Sequence, residues 1–65
     1  MEDIVFSVKA LAALMSMSIE QLANACDISA NHLKAVQNGR ATMTGTDLIK
    51  LSQFTGVPVE NIKTE

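Results

Sequence analysis

Two short helix-forming runs, residues 19–26 and Ala30–Gln37, are separated only by Asp27, Ile28 and Ser29. Two helices joined so tightly are read as crossing steeply. A steep, close crossing needs a small residue where the backbones approach, and Ala23 occupies that place. Ile28 in the turn, with Leu33 and Val36 in the second run, is spaced to fill the angle opposite Leu22. This one constraint already selects a compact helical domain.

The rest of the chain carries matching start and stop signals. Ser18 stands three residues before Gln21, a capping-box spacing. Ser29 opens the run to Gln37, and Thr44 opens a run to Thr55 with Asp47 near its positive end. Asp27, Asn38-Gly39 and Gly56 end these runs. Pro58 fits the first turn of a short last helix through Ile62. Ile4, Val8, Leu11 and Met15 recur at helical intervals, as do Leu48, Leu51 and Thr55, with Ile49 and Phe54 at the margins. The start of the chain has two readings: a helix from Ile4, or a short extended segment Ile4-Val5-Phe6 before a helix capped by Ser7. The expectation is an all-α, compact five-helix domain spanning residues 1–65 as one unit, with no linker or repeat.

Composition narrows the chemistry. A chain of 65 residues has little room for a catalytic scaffold, and 48% hydrophobic residues suffice for collapse. One cysteine, Cys26, and one histidine, His32, leave no basis for a disulfide framework or a zinc site. Cys26 reads as a small core residue and the methionines as gap-fillers, with Met17 and Met43 expected at the surface. No paired carboxylates, nucleophile–base pair or Gly-rich phosphate loop occurs, so neither an enzyme nor a cofactor is expected. The longest apolar stretch, residues 10–15, is far short of a membrane span, and Met1-Glu2-Asp3 is unlike a signal peptide. A soluble cytoplasmic protein is expected.

The two-helix unit has the helix-turn-helix layout, in which the second helix can enter the DNA major groove. The residues Ser18-Ile19-Glu20-Gln21-Leu22-Ala23, Asp27-Ile28-Ser29, Leu33, Val36 and Gln37-Asn38-Gly39-Arg40 resemble the Cro/CI-type (XRE-like) phage-repressor helix-turn-helix domains. The resemblance continues through Leu48-Ile49-Lys50-Leu51-Ser52 and Thr55-Gly56-Val57-Pro58-Val59-Glu60-Asn61-Ile62. It implies a lambda-repressor-like five-helix DNA-binding domain that acts as a dimer on operator-like sites in a phage or mobile element. The chain departs from the family at Asp27, often Gly; at Ile19, often a phosphate-contacting Gln; at Gln37, often Glu; and at Ala12, often Arg.

A helical projection of Ala30–Gln37 at 100° per residue buries Leu33 and Val36. The opposite side presents Asn31, Lys34 and Ala35, with Ala30 nearer its edge. Asn31 can pair bidentately with adenine, Lys34 can reach guanine or a phosphate, and Ala30 and Ala35 can approach a thymine methyl. Ser29, at the helix N-terminus, His32, Asn38 and Arg40 are candidate phosphate contacts. Asn38 and Arg40 resemble the family's phosphate-contacting loop.

The net charge of −2 argues against a non-specific nucleic-acid binder. Yet residues 28–46 contain no Asp or Glu while holding Lys34 and Arg40; Glu2, Asp3, Glu20, Asp27, Asp47, Glu60 and Glu65 all lie outside that window. Few cations predict weak monomer binding and a shallow salt dependence. With no separate dimerisation domain expected, a weak homodimer would use Ile4-Val5-Phe6 and Val57, Val59 and Ile62. A second reading keeps the fold but replaces DNA with a protein partner, as in an antirepressor or modulator.

Overall fold

A computed structural model describes residues 4–64. Glu2, Asp3 and Glu65, part of the charge reading above, lie outside the described residues. Four α-helices follow one another: α1 (Val8–Leu14), α2 (Ile19–Ala25), α3 (Ala30–Gln37) and α4 (Gly45–Thr55). A hydroxyl caps each of them. The side chains of Ser7, Ser18, Ser29 and Thr44 accept hydrogen bonds from the N–H groups of Ala10, Gln21, His32 and Asp47. Each hydroxyl thus satisfies an amide that the helix itself leaves without a partner. Ser18–Gln21 closes as the expected capping box, and Thr44–Asp47 forms a second one.

The first three helix ends share one solution. After α1, Met17 N–H donates to Ala12 O at 2.8 Å and Ser16 N–H to Ala13 O at 3.0 Å. After α2, Ile28 N–H donates to Ala23 O at 2.8 Å. After α3, Arg40 N–H donates to Ala35 O at 2.8 Å. These are Schellman closures, which place one residue in the left-handed region. That residue is Ser16 (φ 57°), Asp27 (φ 58°) and Gly39 (φ 78°) in turn, so only the third has glycine where the backbone favours it.

Four leucines, one per α-helix, meet at the centre: Leu11, Leu22, Leu33 and Leu51 are fully buried, together with Ala23. Burying each leucine contributes about 1.5–3 kcal/mol. The most extensive helix–helix contact is between α2 and α3, and α1 packs against both. Ala23 lets α2 and α3 approach, and Ile28, Leu33 and Val36 complete the same cluster.

Three expectations are corrected. The fifth helix is a three-residue 3-10 turn, Val59–Asn61, because Ile62 is already extended (φ −107°, ψ 127°) and bridges Phe6 in parallel. Phe6 N–H donates to Asn61 O at 2.7 Å, and Lys63 N–H returns to Phe6 O at 2.8 Å. That pairing also holds the segment before Ser7 out of helix, which decides between the two readings of the start. Met43 is buried instead of exposed, since its N–H donates to Thr64 O at 2.9 Å and its side chain closes the core under the tail. Val57 and Ile62 also belong to the core, so the exposed apolar residues at this end are Ile4, Val5 and Val59. Among the described residues, no helix is long and apolar enough to cross a membrane.

Candidate nucleic-acid interface

The helix α3 buries Leu33 and Val36 and leaves Asn31 and Lys34 exposed, and its C-cap Asn38 is exposed in turn. Their spacing of three and four residues puts the exposed side chains on one stripe. Ala30 and Ala35 are half-buried along its flanks. They add no bulk that would hold a ligand away from the helix backbone. Ser29 is exposed at the N-terminal end, where its hydroxyl accepts from His32 N–H at 3.4 Å.

His32 lies half-buried beside the stripe. Its Nε2 is 2.8 Å from Asp47 Oδ2, and the same carboxylate oxygen accepts from Thr44 N–H at 3.3 Å. Burial by itself would raise the Asp47 carboxyl, but hydrogen bonds from Thr44 and His32 outweigh it and hold the group below the ordinary carboxylate value. The acid bonded to α3 is therefore held between His32 and the N-terminal turn of α4. With Nε2 engaged, only Nδ1 of His32 remains for a phosphate.

Beyond α3, Asn38 and Arg40 are both exposed, on either side of Gly39. Gln37 is half-buried, and its Oε1 accepts from Lys9 N–H at 2.9 Å, capping an otherwise free amide in the first turn of α1. Ala12 is buried at 3% exposure, so the pair of positions often charged in the family is here one methyl and one amide. Ile19, at the place of the usual glutamine, packs half-buried against the core and offers no polar group. Lys50 donates to the Asp27 carbonyl oxygen at 3.1 Å, which ties α4 to the turn between α2 and α3.

Sequence reasoning passed over two cations. Lys9 shares a shallow groove with Ser18, Gln37 and Asn38, and Lys63 shares a cleft with Arg40. Both lie far along the chain from α3, so only the folded backbone brings them to its C-terminal end. Among the described residues, no group of three metal-binding side chains converges.

A helix-turn-helix family model matches residues 8–62. The chain belongs to the Cro/CI-type, XRE-like helix-turn-helix family. No curated protein and no solved structure matches it. Helix-turn-helix domains of this family are DNA-binding regulators, and the matched span covers all four α-helices and the closing 3-10 turn.

Proposed function

We propose that this helix-turn-helix chain is a sequence-specific, cytoplasmic DNA-binding regulator of the phage or mobile-element repressor type, and that α3 reads the major groove. The observation that carries this reading is the exposed stripe Asn31–Lys34–Asn38, with the neighbouring carboxylate of Asp47 engaged by His32 and by the Thr44 N–H. Asn31 and Lys34 contact base edges, and Ala30 and Ala35 lie close against them. Ser29, His32, Asn38 and Arg40 hold phosphates on either side of the groove. No catalytic role or cofactor is part of this reading.

A homodimer would present two α3 helices to half-sites about one helical turn apart. Ile4, Val5 and Val59 are exposed at 44%, 56% and 40%, and the Phe6–Ile62 bridge brings their segments together. Covering such an apolar patch with a second copy would supply the dimer contact. Light scattering over a concentration series tests this; a monomer throughout rejects it.

The test of function is a mobility shift on a randomised duplex pool at low salt, with Asn31→Ala and Lys34→Glu as controls. The wild type should select a site, and both variants should lose it. A second reading, a protein-interaction module, draws on the same exposed apolar patch and on Ile19 in place of a phosphate-contacting glutamine. It is favoured if no duplex shifts and the chain forms a stoichiometric complex with a protein partner.

A further inference from the structure

The loop after α3 and the C-terminal tail are distant in sequence, yet backbone hydrogen bonds strap them together. Arg40 N–H donates to Ala35 O at 2.8 Å and Gly39 N–H to Val36 O at 3.1 Å, which fixes the direction in which Arg40 leaves α3. Lys63 N–H donates to Phe6 O at 2.8 Å, and Met43 N–H donates to Thr64 O at 2.9 Å. The tail is thereby held between the N-terminal segment and the loop. Arg40 and Lys63 then line one open cleft with Gly39, Ala41 and Thr42. Lys63 also borders the adjoining hollow of Ser7, Val8, Val36 and Gln37. None of these lining residues is acidic.

Two like charges in one cleft repel each other, and an anion between them converts that repulsion into attraction. Because both backbones are pinned, only the two side chains remain to be ordered when it binds. We infer that Arg40 and Lys63 together clamp one DNA backbone phosphate, which makes the C-terminal tail part of the nucleic-acid interface. Lys63 lies just beyond the matched residues 8–62, so the clamp adds to the family's shared pattern. The inference rests on the DNA-binding reading above.

The experiment compares the full chain with Arg40→Gln, Lys63→Gln and the double variant on the selected duplex across a salt series. Both side chains are exposed, so thermal melting should be unchanged and will report any misfolded variant. Each single variant should bind several-fold more weakly with nearly the wild-type salt slope, since the remaining cation still neutralises the shared phosphate. The double variant should lose about 0.9 of a slope unit. Full slope losses in each single variant, adding in the double, would mean two separate phosphates and overturn the clamp. So would a Lys63→Gln variant that binds as tightly as wild type.

If wild type shifts no duplex at all, the DNA reading fails and inorganic phosphate decides the clamp. Amide resonances of Gly39, Arg40, Thr42 and Lys63 should then move on phosphate titration of the wild type and stay fixed in the double variant. Resonances that stay fixed in both would overturn it.

Discussion

His32 Nε2 and Asp47 Oδ2 lie 2.8 Å apart, joining α3 to the first turn of α4 across the loop between them. The same carboxylate closes the capping box with Thr44, so one side chain serves both the helix start and the inter-helix contact. Asp47→Ala should therefore lower stability by about 1–2 kcal/mol, read by urea denaturation. The pH dependence has a definite sign. Asp47 titrates below its unfolded value, so its stabilisation is complete above the ordinary carboxylate range. It is lost as pH falls through the lower, folded value. Asp47→Asn should flatten that acid limb, and an unchanged limb would contradict the assignment.

The left-handed residues give a second expectation. Ser16 and Asp27 hold φ near +57° and +58° at helix ends where glycine adopts that conformation freely. Such strain costs on the order of 1 kcal/mol per residue. Ser16→Gly and Asp27→Gly should each raise stability by roughly 0.5–1 kcal/mol. The Lys50 bond survives Asp27→Gly because it is made to the backbone carbonyl. Lower melting temperatures for both variants would show that the side chains contribute more than the strain costs.

Base reading and phosphate holding separate in their sequence dependence. On a selected duplex, Asn31→Ala should lose about 1–3 kcal/mol, and discrimination should vanish at a single A·T position. Arg40→Ala should weaken all duplexes alike. Competition binding against singly substituted sites reads both effects. A uniform loss for Asn31→Ala would remove it from the list of base readers.

Cys26 should be chemically quiet. Burial pushes its thiol above the ordinary value, with only partial opposition from Lys50. An aromatic disulfide reagent should label the native chain far more slowly than the chain in urea, at a rate that follows opening of the fold. Equal rates in both conditions would place the thiol at the surface.

Much of this architecture can be read along the chain because its signals are local. A Ser or Thr cap bonds an amide three residues ahead, so Ser7, Ser18, Ser29 and Thr44 announce α1 to α4 without reference to distant residues. Helical periodicity likewise exposes Leu11, Leu22, Leu33 and Leu51 as one inward set. Asp27 and Gly39 look like chain-turners; Ser16 does not, since serine has no special preference for the left-handed region.

Contacts between remote residues carry no such mark. Asn61 Nδ2 donates to the Ile4 carbonyl across 57 positions, and the pairing around Phe6 and Ile62 turns an expected last helix into a short 3-10 turn and an extended tail. Met43 becomes buried only because that tail covers it, and His32 meets Asp47 only because the first turn of α4 comes back to α3. Lys63 approaches Arg40 for the same reason. A cap or a turn depends on bonds a few residues long, which neighbouring residue types encode directly. The meeting of distant side chains depends on how the helices pack as a whole, and that is settled only when the core closes.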